Sequence, residues 1–393
     1  MPGSFLRSIC TAALAAVVVT APAAAAAAPS PAPADPGAGT AGAAAPAVPA
    51  TGAAVLLSEL KKLYQQAEEA TETYNGTAAE LKKRTAEAKK LDSALVTARL
   101  SLSRGRDATG RLAREQYQGR SDLSSYLRLL LSRDPQQALD QGQVIQRLAA
   151  GRVAAVERLT GAEERADELA KRSRKVLDRQ QVLSARQKKQ RDAVRKRLGK
   201  VEAMIATLSA DRLAELSGLE QKGTAKAQGA LAASGALSST RPPSEKGGEA
   251  VRYAIRQIGK PYVWGAEGPA SFDCSGLTSQ AWANAGRTIP RTSQEQWRQL
   301  RKVPVNALRP GDLVIYFPKA THVALYIGNG LVVQAPRPGS QVKVSPLASN
   351  PLLGAVRPDP ESAPLRTYQP PELPQGASGG SDEGYSVSSA PTG

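Results

Sequence analysis

Ser271-Phe272-Asp273-Cys274-Ser275-Gly276-Leu277-Thr278, running on through Ser279-Gln280-Ala281-Trp282-Ala283-Asn284-Ala285-Gly286, reads as a short helix with a cysteine in its first turn. Ser271 or Asp273 can cap it, Leu277, Ala281 and Trp282 fall on one face, and Gly286 fits the stop. At that place the unpaired amides and the positive end of the helix dipole favour a thiolate, and the same amides could later hold an oxyanion.

The stretch matters because such chemistry is scarce elsewhere. The 393 residues contain two cysteines, Cys10 and Cys274, and a single histidine, His322. Cys10 sits in an N-terminal segment with Arg7, an apolar run from Ile9 to Val19 and an alanine-rich stretch to Ala28. This is the shape of a secretory signal over residues 1–28, and Arg7-Ser8-Ile9 is a poor context for lipid attachment, so Cys10 is expected to leave with the leader. What remains is one thiol and one imidazole, the minimum kit for a cysteine nucleophile. A lone cysteine outside the cell leaves three readings open: intermolecular pairing, a small buried hydrophobe, or a reactive thiol.

The partner half has strand character. Gly311–Phe317, Thr321–Ile327 and Leu331–Ala335 are rich in β-branched and aromatic residues, and Gly328-Asn329-Gly330 between the last two is a hairpin signal. Antiparallel pairing about Asn329 brings His322 near Gln334, which could hydrogen-bond the imidazole and fix its tautomer. Taken singly, His322 also reads as a satisfied strand-end histidine and Gln334 as a solvated amide.

Together these stretches resemble a known family. Gly259-Lys260-Pro261-Tyr262-Val263-Trp264-Gly265, Phe272–Leu277, Pro290-Arg291-Thr292-Ser293, Pro310–Val314 and His322–Gly328 resemble, in order, the motifs of NlpC/P60 papain-like peptidoglycan peptidases. The resemblance covers residues 246–358 and implies a small antiparallel sheet packed on helices. It implies Cys274 as nucleophile, His322 as base and then acid, and Gln334 as the third polar residue, where many members carry histidine. It also implies a substrate-binding or oxyanion role for Tyr262, Ser275 and Asp273, with helix capping as the plainer reading of Asp273. Cleavage after γ-D-glutamyl and before a diamino acid is implied in the same way.

Aromatics are only 4% of the chain, too few for one large core. Residues 29–52 and 226–245 read as linkers and 359–393 as a disordered tail, because they are rich in Pro, Gly, Ala or Ser and lack apolar periodicity. Over residues 53–225, Leu56, Leu60, Leu63, Ala67, Ala70 and Tyr74 step by three and four, as do Leu169, Val176, Leu183, Val194, Leu198, Val201, Ile205 and Leu208. That spacing predicts a long antiparallel coiled-coil hairpin, interrupted at Gly105, Gly110, Gly119 and Pro135. The fold class expected is therefore α+β, a helical hairpin followed by the small papain-like domain.

The interruption, from Tyr117 through the Leu127, Leu129, Leu130 and Leu131 band to Asp140, is similar to the tip of coiled-coil domains that precede cell-wall hydrolases governed by the divisome FtsEX transporter. It reads equally as a locally thick helix tip. The net charge is +17, concentrated in Lys171–Lys175, Lys188–Arg191 and Arg195–Arg197. Behind a signal peptide, anionic wall polymers or membrane surfaces are expected counter-charges rather than nucleic acid, with a solvated helix face as the alternative. One Cys and one His cannot build a zinc site, and no metal, phosphate-loop or nucleotide motif is present, so no cofactor is expected. The expectation is a secreted, wall-located peptidoglycan hydrolase whose hairpin restrains or places it. A scaffold with a silent peptidase domain, or an amidase or acyl-transfer enzyme on the same thiol, are the alternatives.

Overall fold

A computed structural model of the chain describes residues 52–117, 127, 135–237 and 241–378. The expected leader, nearly all of the first linker, most of the helix tip with Leu129, Leu130 and Leu131, and the last fifteen residues lie outside the described residues. Helix α1 (Ala53–Tyr117) and helix α2 (Pro135–Ala206) pair antiparallel, so that Gly105 meets Leu159 and Thr85 meets Gln180. At 1.5 Å per residue, α1 is about 100 Å long. The seam is thin, because apolar positions recur at heptad spacing among charges. Leu60, Tyr64 and Ala67 are buried on α1, and Val176, Leu183, Val194 and Val201 on α2.

Gly105 and Gly110 do not interrupt α1. A Cβ at Gly105 would stand 3.5 Å from the Leu159 side chain, an ordinary van der Waals contact, so the helix runs through this position without needing glycine. Helix α3 (Ala210–Ala233), capped by Ser209, turns back and buries Leu216 against Leu60 and Tyr64. It continues through residues 226–233, where composition predicts a linker. Gln228 explains this: its amide donates to the Gly330 carbonyl at 2.9 Å and its carbonyl accepts from Ala348 N at 2.9 Å. Leu231 and Leu237 pack beside Val314 and Tyr316.

The C-terminal part is a six-stranded antiparallel sheet in the order β1-β6-β2-β3-β4-β5, with β1 Arg301–Val303, β2 Leu313–Tyr316, β3 His322–Gly328, β4 Leu331–Gln334, β5 Lys343–Pro346 and β6 Leu352–Arg357. Helices α4 (Glu245–Ile255) and α5 (Cys274–Asn284) cover one face, burying Val251, Leu277, Ala281 and Trp282 against Leu313, Ile315, Val323 and Leu325. Helix α6 (Ser293–Gln299) lies beside β6. The opposite face, with Val314, Tyr316, Ala324, Tyr326 and Val332, is also covered, so the central strands are buried on both sides. The fold class is α+β.

Residues 359–378, where composition predicts disorder, are tied to the domain. Asp359 accepts from Arg309 at 2.9 Å and from Ser244, Leu365 N donates to Pro243 O, and Val344 N donates to Ala377 O. A buried ion pair and backbone bonds hold a stretch that has little apolar content of its own.

Candidate active site

Asp273 caps α5, accepting from Gly276 N at 2.6 Å, and places Cys274 as the first helical residue. Gly276 is required: a Cβ there would lie 2.1 Å from the Ala266 carbonyl oxygen. The same carboxylate accepts from Gly265 N and from both terminal nitrogens of Arg291, at 3.1 and 2.7 Å. Asp273 therefore joins the Trp264-Gly265 loop, the α5 start and the Arg291-Ser293 loop into one rigid frame.

His322 opens β3. Asn329 and Gly330, with φ of 53° and 69°, make the tight turn into β4. Gln334 then lies one step beyond the Leu325–Val333 pair, diagonal to His322, within reach of a long side chain. Gln334 Oε1 is 2.7 Å from His322 Nε2. Tyr316, the register partner of His322, sets its ring 5.7 Å from the imidazole. Tyr262 is buried beside the thiol, and burial first, then Cys274 and the nearby carboxylates, push its phenol pKa well up. Ser275 is wholly buried and receives a 2.7 Å hydrogen bond from Arg291.

What covers these residues was not among the expectations. Glu68, Glu72 and Asn75, one face of α1, insert into the site. Glu72 accepts from Ser275 Oγ at 2.6 Å and from Ser293 N at 2.7 Å, and its Oε1 lies 3.6 Å from the Cys274 sulfur. Glu68 Oε1 lies 3.4 Å from His322 Nδ1, near enough to pair with an imidazolium but too poorly aligned for a strict hydrogen bond. Asn75 donates to Asp273 at 3.0 Å, Tyr74 meets Trp264 edge-on at 5.2 Å, and Glu69 pairs with Lys319 at 2.8 Å. Cys274 and His322 are left 2% and 1% exposed, which no substrate could reach. The available signal was Glu68 and Glu72 at i,i+4, a like-charge pair unfavourable on a solvated helix.

The electrostatics follow from this packing and correct one expectation. The thiol is not a stabilised thiolate here: burial, then Glu72, Asp273 and Glu68, push the Cys274 pKa well up against the opposing charge of Arg291. Burial, then the Asp273 charge, raise Glu72 to about 7 despite its hydrogen bonds and Arg291. Burial lowers the His322 pKa, but Glu68 and the Gln334 bond outweigh it and the net shift is upward. Among the described residues no group of three or more His, Cys, Asp or Glu side chains is arranged to hold a metal ion, and no helix is long and apolar enough to cross a membrane.

Residues 259–354 match the NlpC/P60 family. Over 116 residues the chain is 44% identical to a probable endopeptidase of Corynebacterium glutamicum, covering 29% of this chain and 56% of that protein. It is 42% identical over 126 residues to peptidoglycan endopeptidase RipA of Mycolicibacterium smegmatis, covering 28% and 25%. The crystal structure of the P60 domain of an antigen from M. avium subspecies paratuberculosis is 33% identical, covering 28% of this chain and 94% of that one, with a TM-score of 0.25. The chain thus spans about half or less of the length of these curated relatives.

Proposed function

We propose, from a C-terminal domain that belongs to the NlpC/P60 family, that this chain is a secreted peptidoglycan endopeptidase whose own helical hairpin holds it closed. The carrying observation is one constellation: Cys274 at a helix N-terminus, His322 bonded to Gln334, and the Glu72 carboxylate seated against the thiol.

In the open form, with Glu68 and Glu72 withdrawn, His322 Nδ1 takes the thiol proton and the Cys274 thiolate attacks a stem-peptide carbonyl. The Cys274 and Ser275 amides, ahead of the capped Gly276, face the developing oxyanion, with the Tyr262 phenol beside them. The imidazolium then protonates the leaving amine, the amide C–N bond breaks, and water activated by His322 hydrolyses the thioester to regenerate the thiol. The bond cleaved is the γ-D-glutamyl–diamino acid amide. Digestion of purified peptidoglycan followed by mass spectrometry of the muropeptides tests this: cleavage at that amide, absent in Cys274→Ala, is the expected outcome. No new product from a chain freed of its hairpin contacts would leave a silent wall-binding scaffold.

Closure is both steric and electrical in this reading. The carboxylates that fill the cleft also disfavour the thiolate. A divisome transporter of the FtsEX type engaging the hairpin tip is the proposed releasing partner, and the exposed basic residues of α2 the proposed contact for anionic wall polymers.

A further inference from the structure

We infer that Tyr316 is a positioning residue: its ring sets the plane of the His322 imidazole, so that Nδ1 stays aimed at the thiol once the helical plug has left. The inference rests on the Cys-His-Gln reading above and adds a restraint which that reading lacks.

One hydrogen bond does not fix a ring. Gln334 Oε1 holds His322 at Nε2, 2.7 Å away. An imidazole held at one atom can still swing about that contact and carry Nδ1, on the other side of the ring, out of line. In the closed form Glu68 stands 3.4 Å from Nδ1 and limits the swing. Withdrawal of α1 takes that limit away at the moment catalysis begins. A displacement of about 1 Å in a reacting group can cost about 100-fold in rate, so the open site needs a second restraint that stays behind.

Tyr316 supplies that restraint from the catalytic domain itself. Its ring centroid lies 5.7 Å from that of His322 at an interplanar angle of 39°, within the range of a packed aromatic pair. The residue is wholly buried, and its hydroxyl donates to the Leu347 carbonyl at 2.9 Å, which tethers the far end of the ring. A ring packed alongside the imidazole opposes the swing about Nε2 that the Gln334 bond permits.

The backbone is shaped to put this side chain there. Tyr316 ends β2 directly opposite His322. Against β6 the register slips between Ile315 and Tyr316: Ile315 faces Gly354 and Tyr316 faces Leu352, which leaves Leu353 as the extra residue of a bulge. Bulges re-aim a side chain and recur beside active sites. The chain then turns into β3 through Phe317 and Ala320, two non-glycine residues with φ of 64° and 52°. Left-handed backbone is costly for a residue as large as Phe and persists only where its surroundings over-determine it. Here Phe317 N donates to Pro351 O, Ala320 N to Phe317 O, and Ser293 Oγ to Ala320 O at 2.7 Å. The strained turn fixes the spacing of the two rings and ties it to the Arg291-Ser293 loop of the active-site frame.

The test uses the full chain with Glu68→Ala and Glu72→Ala, so that neither plug carboxylate meets the site. His322 is the only histidine, so histidine labelled with 13C at Cε1 gives a single ring signal. In this background a nuclear Overhauser contact between the His322 and Tyr316 rings is expected. Tyr316→Leu should lower the order parameter of the imidazole and reduce kcat on a soluble muropeptide about 10- to 100-fold with KM unchanged. Tyr316→Phe keeps the ring and loses its tether. It should unfold at lower denaturant yet retain the ordered imidazole and most of kcat, which separates loss of stability from loss of turnover. An imidazole equally ordered in Tyr316→Leu overturns the inference even if turnover falls, since the loss would then come from packing. Should the leucine variant not fold, absence of the ring-to-ring contact in the background chain overturns it. No cleavage by the background chain, with both rings ordered and in contact, would remove the peptidase reading and not the placement of the imidazole.

Discussion

Replacing Glu72 by glutamine should make the protein more tightly closed at alkaline pH, not less. The isostere keeps the oxygen that accepts from Ser293 N and still reaches Ser275, so the geometry of the plug survives. What it removes is a charge. Glu72 has a carboxyl pKa raised from 4.5 to about 7 when seated, and released into water it returns to the lower value. The closed form therefore binds the proton more strongly. Its stability is fully present below pH 4.5 and is lost as pH rises toward the seated pKa. Between pH 6 and pH 8 the seated carboxyl goes from about one-tenth to about nine-tenths ionised, while the released one is ionised throughout, which shifts the open-to-closed ratio about tenfold, or ~1.4 kcal/mol. The raised His322 pKa acts in the same direction, and Glu72→Gln removes only the smallest of its causes, leaving Glu68 and the Gln334 bond in place. The assay is alkylation of Cys274 by iodoacetamide, read by mass spectrometry, because only the open form presents the thiol. The rate ratio of wild type to Glu72→Gln should rise about tenfold from pH 6 to pH 8. A ratio constant within twofold would refute the reasoning, since it would mean that Glu72 carries the same charge seated and released.

Cys274→Ala and His322→Ala should each abolish cleavage of purified sacculi, and the double variant should be no worse than either, as measured by muropeptide release. Gln334→Ala should lower turnover about 10- to 100-fold, a loss visible in kcat on a soluble muropeptide. Arg309→Met should lower the unfolding free energy by about 3 kcal/mol or more in a denaturant titration, because it strands the buried Asp359 carboxylate and frees the 359–378 stretch. Exchanging Leu130 and Leu131 for serine should abolish activation by a membrane partner while leaving basal Cys274 alkylation unchanged.

The parts of the site that were legible in the sequence are those built from local geometry. The Cys274 helix could be read from its cap, its apolar face and its glycine stop, because each depends on residues within a turn or two. The meeting of His322 with Gln334 followed from counting about Asn329, since a two-residue turn fixes register. The plug was not legible for the opposite reason. Glu72 and Cys274 are 202 positions apart, and helical periodicity assigns Glu68 and Glu72 to the face away from the Leu60 and Ala67 seam, where charge ordinarily meets water. The continuation of α3 through Gln228 and the ordering of residues 359–378 escaped likewise: both are held by hydrogen bonds and an ion pair to distant backbone, which composition does not register.

The chemistry of the two contacts made by α1 explains why one can be permanent and the other reversible. Toward α2 and α3 the helix buries Leu60 and Tyr64 against Val201, Ile205 and Leu216, and that apolar area has no better partner in water. Toward the catalytic domain it presents Glu68, Glu69, Glu72 and Asn75, whose hydrogen bonds exchange for bonds to water on release at little net cost each. The burial that raises Glu72 further subtracts from the plug's hold. A net preference of about 2.7 kcal/mol suffices to keep the open form near 1%, and a partner need only favour the open form by a similar amount to reverse it. The α3 contacts oppose wholesale departure: Glu220 forks onto Arg337 at 3.2 and 3.0 Å, and Gln228 grips Gly330 and Ala348. Release therefore needs no separation of the domain from the hairpin base. In the proposed release, a tilt of α1 about the α3 junction would clear Glu68 and Glu72 from the thiol while α3 keeps its hold. Force applied near Tyr117, some 45 residues and about 70 Å along α1 from Glu72, has a long lever to produce that tilt.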